Sequence, residues 1–328
     1  MHAVRLHQFG PPENLLYETV DDPQPGDGQV RIKVAAAGVH LIDTVIRAGR
    51  QQGPAPLPEL PSIPGREVAG VVDALGPGVA ADWSGRRVVA HLGSAPHGGG
   101  YAELALSSAA SLHALPDGLA PEVAVAMIGT GRTALAILEV AQLTPEDVVL
   151  VTAAAGGLGT LLVQAARNIG ARAVAAVGGA AKLERVRELG PTLAVDYTAA
   201  DWPQRVREAL GTTQLSVVLD GVGGTLGREA FELLGPGGRL IMYGFASGQP
   251  TPLTAVDLFV RGLTASSAIG PRIQNWPGGL RGLEVQALAA AADGRLIPAV
   301  QCFPLADAAA AHTALANRAT TGKVVLVP

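Results

Sequence analysis

With 328 residues, 48% of them hydrophobic and 16% charged, the chain is long enough for two domains and too apolar for a disordered protein. A net charge of −4 with scattered basic residues excludes the electrostatic signature of a nucleic-acid binder. The single cysteine, Cys302, excludes an intrachain disulfide and a cysteine-built zinc site. No apolar run of the ~20 residues needed to span a bilayer stands out, and residues 1–10 lack a signal-peptide pattern, so the expected location is the cytoplasm.

The first third reads as β-rich. Short apolar runs at 3–6, 30–36, 68–75 and 86–90 are separated by turn-forming stretches at 21–28 and 76–79. Residues 53–65 carry five prolines and read as a long irregular loop. From about Pro121 the pattern changes. A helical stripe of Leu135, Leu138 and Ala141, with Ala134 and Ile137 beside it, leads to Pro145. Apolar strands then alternate with helices: strand 148–151, a helix through Ile169, strand 173–177, a helix through Arg187, strand 193–196, a helix around Val206, strand 217–220, a helix through Phe231 and strand 240–242. Such alternation predicts a parallel sheet covered on both faces. Residues 263–269 supply a candidate edge strand; an alanine-rich helix near Ala287 and a strand at 324–327 follow.

Strand 148–151 runs directly into Ala153-Ala154-Ala155-Gly156-Gly157-Leu158-Gly159 and then a helix. Small residues allow a pyrophosphate to approach the backbone, and the helix start offers free N–H groups and a positive dipole end. An NAD site usually places an acid roughly 20 residues further on, to hold the ribose hydroxyls. Here the second strand ends in Val177-Gly178-Gly179-Ala180, without an acid, and Lys182 follows. The chain has only three lysines among its 24 basic residues, so a lysine here is not compositional background. A missing acid and a nearby cation suit the 2′-phosphate of NADPH, although a solvated helix-surface lysine would look the same.

Across nearly its whole length the sequence resembles the zinc-free quinone oxidoreductase branch of the medium-chain dehydrogenase/reductase family. The resemblance rests on Ala37-Gly38-Val39-His40-Leu41-Ile42-Asp43 and its continuation to Gly49, on Ile63-Pro64-Gly65-Arg66-Glu67 with Gly70-Val71-Val72, on residues 153–159, and on Thr321-Gly322-Lys323-Val324-Val325. It implies an α/β protein with a GroES-like β-rich catalytic domain over 1–120, completed by 270–328, and a Rossmann doubly wound domain over 121–269. Implied cofactor contacts are Thr133, Ala155, Gly156, Gly157, Leu158, Lys182, Tyr197, Gly221, Gly244, Phe245, Ala246 and Arg318, with Lys182, Tyr197 and Arg318 around the 2′-phosphate. A homodimer through the edge strand at 263–269 is implied as well.

Zinc-dependent relatives draw Cys and His ligands from the regions of 39–43 and 65–67. At those positions this chain has His40, Leu41 and Arg66, and residues 128–133 hold no Cys or His. A catalytic zinc needs about three protein ligands, and only His40 and Glu67 are at hand; no metal is expected. The family commonly has Asn where His40 stands and Tyr where Val45 or Arg66 stands. His40 is then a candidate acid or hydrogen-bond donor and Arg66 a candidate stabiliser of oxyanion charge; a structural His and a surface Arg are the plain alternatives. The other histidines (His2, His7, His91, His97, His113 and His312) receive no role. The expected activity is NADPH-dependent hydride transfer to a quinone or α,β-unsaturated carbonyl compound. A 2-enoyl-thioester reductase and a catalytically silent NADPH-binding sensor are the rival readings.

Overall fold

The computed structural model describes residues 1–51, 56–93, 99–276 and 278–328. It divides into a β-rich unit, Met1–Thr130 with Ala287–Asp293 and Pro298–Pro328, and a parallel-sheet unit, Gly131–Gln286 with Gly294–Ile297. The first residues of the proline-rich loop, 53–55, lie outside the described residues, as does His97.

In the β-rich unit a seven-stranded sheet runs in the order Val300–Pro304, Lys323–Val327, Gln29–Val39, Glu67–Leu75, Arg87–His91 and Leu112–Ala114, with Leu104–Ser108 paired to Gln29–Val39. Alternation explains the long strand Gln29–Val39: Val30, Ile32 and Val34 are buried while Arg31 and Lys33 turn outward. Its end, Ala36–Val39, is buried at every residue because it is flanked on both sides, by Lys323–Val327 and by Glu67–Leu75. Both neighbours are antiparallel to it, Val39 facing Val324 and Ala37 facing Val68. The carboxyl end of one strand and the amino ends of two others therefore lie together, and the residues that bear charge stand there.

The parallel-sheet unit orders its six strands Leu193–Asp196, Arg172–Val177, Val148–Val151, Leu215–Asp220, Leu234–Met242 and Thr264–Ser267. Every pairing is parallel. Numbered along the chain this is 3-2-1-4-5-6, the doubly wound dinucleotide-binding order. Strand Val148–Val151 is central and buried throughout, which is why its sequence is a continuous apolar run instead of an alternation. Thr264–Ser267 is an edge strand, as expected for 263–269.

Four details differ from the sequence reading. The units divide after Thr130 and after Gln286 instead of at 120 and 269. The helical run Pro121–Ala141 crosses that border: Pro121–Ala126 packs on Gln29–Val39 and Glu67–Leu75, whereas Arg132–Ala141 packs on helix Gly157–Ile169 and is tied by Arg132 to Glu284. That same run is long and apolar enough, by length and composition alone, to cross a bilayer; 56% of its most apolar window is buried in the protein, the pattern of a core helix. The stripe on Arg132–Ala141 is also rotated. Ala134, Ile137 and Ala141 are buried, but Leu135 and Leu138 line a surface groove. Ile169, at the end of its helix, is 39% exposed.

Candidate functional site

Each unit gathers its own set of candidate residues. In the β-rich unit, His40 follows strand Gln29–Val39 and caps helix Leu41–Arg47, where its backbone N–H donates to Asp43 Oδ2 at 2.8 Å. Glu67 opens strand Glu67–Leu75 and Lys323 opens strand Lys323–Val327. The sheet register brings all three together. His40 Nε2 lies 2.7 Å from Glu67 Oε1 and 2.7 Å from Lys323 Nζ, and Lys323 Nζ lies 3.1 Å from Glu67 Oε2. The Glu67 side chain is fully buried and Lys323 is 5% exposed, whereas His40 is 23% exposed and forms the open end of the cluster. Room for the carboxylate comes from two glycines. A Cβ at Gly129 would lie 1.6 Å from Glu67 Oε1, and one at Gly38 would lie 2.4 Å from Oε2. Gly129 sits in a π-helical turn, Met127–Gly131, of the kind often found beside functional groups.

Burial by itself would raise the Glu67 carboxyl pKa, but the facing His40 and Lys323 outweigh it and hold the group well below its ordinary value. Burial lowers the Lys323 pKa, and the Glu67 charge opposes that shift. One proton at Nε2 cannot serve both neighbours, so His40 either donates to Glu67 or accepts from Lys323. The cluster can hold and exchange a proton at His40.

Arg66 joins from the adjacent position but has another partner. Its Nε and Nη2 both lie 3.1 Å from Asp43 Oδ1, and its side chain is 16% exposed. Arg66, read from sequence as a candidate oxyanion stabiliser or a plain surface cation, is a fixed guanidinium with one edge committed. Behind it, the buried Tyr101 hydroxyl donates to Asp43 Oδ2 at 3.2 Å and lies 3.1 Å from His312 Nε2. Burial pushes the His312 pKa down to about 4, so its neutral ring serves as a fixed polar support. His312, which carries no role in the sequence reading, belongs to the network that holds Asp43.

A metal fits this arrangement poorly. The His40–Glu67 pair already has a cation of the chain, Lys323, within 3.1 Å of each member. Among the described residues no group of three or more His, Cys, Asp and Glu side chains stands close enough to hold an ion.

In the parallel-sheet unit the sequence-derived residues stand at the carboxyl ends of the strands, where open α/β sheets bind ligands. Ala155 is buried, and Gly156 caps the 13-residue helix Gly157–Ile169, whose first turn contains Gly157 and Leu158. Gly159 is required by packing: a Cβ there would be 2.3 Å from the Ala153 carbonyl oxygen. Beyond the second strand, the Tyr197 ring lies over Gly178, with atoms 3.0 Å from where a Cβ would stand. The Lys182 backbone N–H donates to Gly179 O at 3.1 Å in the first turn of helix Ala180–Arg187. Lys182, Tyr197 and the Gly178-Gly179 pair therefore meet at one end of the sheet. An acid without a role in the sequence reading also reaches it: Asp196 Oδ1 accepts from Gly179 N, Thr198 N and Thr198 Oγ1, at 2.9, 2.9 and 2.7 Å, and is spent on its own turn.

Gly221 and the segment Gly244, Phe245, Ala246 are joined by a bond from Ala246 N to Gly221 O of 3.1 Å, with Phe245 44% exposed. Their frame is the buried Asp220, which accepts from Thr152 Oγ1 at 2.8 Å, Thr251 Oγ1 at 2.6 Å and the Val222 and Gly223 amides. Nothing in the glycine motif points to Asp220; the signal was a lone acid closing an apolar strand. Thr133 is half-buried at the start of helix Arg132–Ala141. Arg318 belongs to the β-rich unit, at the turn after helix Ala308–Ala316, with a left-handed φ of 56°.

The geometry is that of a dinucleotide-binding α/β unit in one chain with a β-rich unit carrying a buried charge cluster, and known proteins share it. Residues 26–117 match the alcohol dehydrogenase GroES-like domain family, and residues 157–284 match the zinc-binding dehydrogenase family. The 2-haloacrylate reductase of a Burkholderia species is 35% identical over 99% of this chain and 98% of its own. The quinone oxidoreductase of Pseudomonas aeruginosa is 33% identical over 99% of both. Among solved structures, an NAD-dependent alcohol dehydrogenase superposes with a TM-score of 0.88 at 31% identity, and a mycobacterial protein complexed with NADPH with 0.86 at 35%, each over 100% of both chains. The chain belongs to the quinone oxidoreductase branch of the medium-chain dehydrogenase/reductase family, and it is an oxidoreductase.

Proposed function

We propose that the protein is an NADPH-dependent, zinc-independent reductase of quinones or α,β-unsaturated carbonyl compounds. The observation that carries the zinc-independent part is the Lys323 ammonium set against His40 and Glu67, where a metal would need free ligands. NADPH is supported by the glycine-lined helix start at Gly156, by the absence of an acid at 178–180, by Lys182 in the helix turn after Gly179 with Tyr197 over Gly178, and by the NADPH-bound relative. Gly156, Gly157 and Leu158 would take the pyrophosphate, Lys182, Tyr197 and Arg318 the 2′-phosphate, and Thr133, Gly221 and residues 244–246 the remainder of the dinucleotide. When bound, NADPH supplies the hydride.

The chain's own residues do the rest. Arg66, oriented by Asp43, stabilises negative charge that develops on a substrate oxygen, and it does so without titrating. His40, the exposed end of its cluster, holds the proton that a reduced oxygen or carbon takes up, with the Lys323 ammonium as its reserve and the Glu67 carboxylate as the counter-charge. A quinol oxygen can also take its proton from water, so His40 matters more for enones. The relationship to a 2-haloacrylate reductase favours unsaturated acids as a second substrate class, for which Arg66 is a suitable carboxylate partner.

We also infer a cytoplasmic homodimer. The edge strand Thr264–Ser267 and the neighbouring helix Ala255–Arg261, with Val256, Phe259 and Val260 68%, 89% and 73% exposed, are a surface that a second copy would cover.

The test is NADPH oxidation with a panel of quinones and enones, before and after prolonged chelation. Chelation should leave turnover intact, and Arg66→Ala should lower enone turnover at least tenfold, roughly 1.4 kcal/mol of transition-state stabilisation. His40→Asn should be tolerated better than His40→Leu. Loss of activity on chelation with recovery on adding zinc would overturn the metal-free reading.

A further inference from the structure

Arg47 is a buried cation without an ion-pair partner among the described residues; the Glu13 carboxylate acts on it only from beyond salt-bridge distance, against the like charge of Arg50. It ends helix Leu41–Arg47, is only 6% exposed, and donates from Nη1 to Gly10 O at 2.9 Å and from Nη2 to Thr44 O at 3.5 Å. Its Nε is buried without a hydrogen-bond partner, and it forms no ion pair with any carboxylate among the described residues. The remaining residues, 52–55, 94–98 and 277, include no acid. A guanidinium stays protonated in a protein, and a buried charge that is left uncompensated is strongly unfavourable.

Beside Arg47 lies a cavity of about 40 Å³ whose wall also includes Arg66, Asp43, Leu6, Ile46 and Ile63. Asp43 makes no ion pair with Arg47 across it, and both of its oxygens bond other groups. Oδ1 takes Arg66, and Oδ2 takes the His40 amide and the Tyr101 hydroxyl. Two cations and one committed carboxylate leave the wall with an excess of one positive charge. A water needs roughly 10–15 Å³ of such space, so the cavity has room for about three waters, one halide ion or one carboxylate group. A phosphate dianion would exceed both the charge and the room.

We propose that the Arg47–Arg66 cavity is a binding site for one small monovalent anion, a halide or a carboxylate group. Arg47 and Arg66 supply the charge, and apolar Leu6, Ile46 and Ile63 keep competing water sparse. Occupancy neutralises Arg47 and ties the Gly10 segment, the helix Leu41–Arg47 and the Pro64 segment to one ion. The site shares Arg66 with the proposed substrate contact, but its test needs no turnover, and a protein inactive towards every quinone and enone would still carry it.

Crystals of the wild-type protein soaked in sodium bromide test this directly. An anomalous peak in the cavity, within hydrogen-bonding distance of the Arg47 guanidinium, is expected. A second soak adding sodium acetate, a carboxylate with no double bond to reduce, separates the sources: displacement of bromide marks a carboxylate site and persistence a halide site, and either supports the proposal. A cavity holding only water in both soaks overturns it. In solution, bromide titrated at constant ionic strength should bind Arg47→Met at least tenfold more weakly than wild type, and equal affinity would also overturn it. Where that variant does not fold, the wild-type anomalous map decides alone.

Discussion

Replacing Lys323 by Met removes the only lysine near Glu67 and leaves a fully buried carboxylate with His40 in contact and His91 on the neighbouring strand. At 3.1 Å, two unit charges in a medium of effective dielectric constant about 20 attract by roughly 5 kcal/mol. Removing one partner of a buried pair typically costs about 3–5 kcal/mol, because the survivor keeps its desolvation penalty. Lys323→Met should therefore lose about 3–5 kcal/mol in urea unfolding, read as a lower midpoint at unchanged slope. The double variant Lys323→Met/Glu67→Gln should recover a large part of that loss, since the orphaned charge is gone; the cycle isolates the pair. The acid limb gives an independent readout. A carboxyl whose folded pKa is depressed adds stability above its unfolded pKa and loses it as pH falls through the folded value. Glu67 is such a group, held low by His40 and Lys323 against the effect of burial. In Lys323→Met the acid loss should begin at higher pH than in wild type. A loss under about 1 kcal/mol, or strict additivity in the cycle, would refute the picture of Lys323 as the internal counter-ion of Glu67.

Cofactor choice is checked by dissociation constants at fixed salt: NADPH should bind more tightly than NADH, and Lys182→Ala should cost NADPH roughly 1–3 kcal/mol while barely touching NADH. His312, with its folded pKa lowered to about 4 from 6.5, binds protons more readily in the unfolded chain. Stability should fall as pH drops from about 6.5 to about 4, by up to roughly 3 kcal/mol, and His312→Gln should flatten that part of the urea midpoint–pH curve. Phe259→Asp should convert the expected dimer to a monomer by light scattering at micromolar concentration. A wild-type monomer there removes the dimer proposal.

The α/β alternation after Pro121, the strand–glycine–helix passage at 148–159 and the edge strand near 264 were legible in the sequence. Buried parallel strands are continuous apolar runs between turn formers, and a pyrophosphate loop must be made of small residues in sequence order. The helix Leu41–Arg47 was not legible, because seven residues are too few to display a helical period. Leu135 and Leu138 stand half-buried at the edge of the buried face of their helix, because an apolar stripe does not say which of its edges meets a partner. The candidate site divides in the same way. His40 and Arg66 stand in local motifs and could be singled out, but the partners that set their chemistry come from afar: Lys323 is 283 positions from His40, Asp43 is 23 from Arg66 and His312 is 211 from Tyr101. Lys323 stood in the closing motif at 321–325 and is one of three lysines in the chain, but neither signal pointed to His40 and Glu67 as its partners. Antiparallel register decided the rest. It set the end of strand Gln29–Val39 against the starts of Glu67–Leu75 and Lys323–Val327, and so buried an acid, an amine and an imidazole within hydrogen-bonding reach. Local sequence determines which residues carry charge. Which charges meet, and at what cost in desolvation, depends on strand pairings that no local pattern encodes.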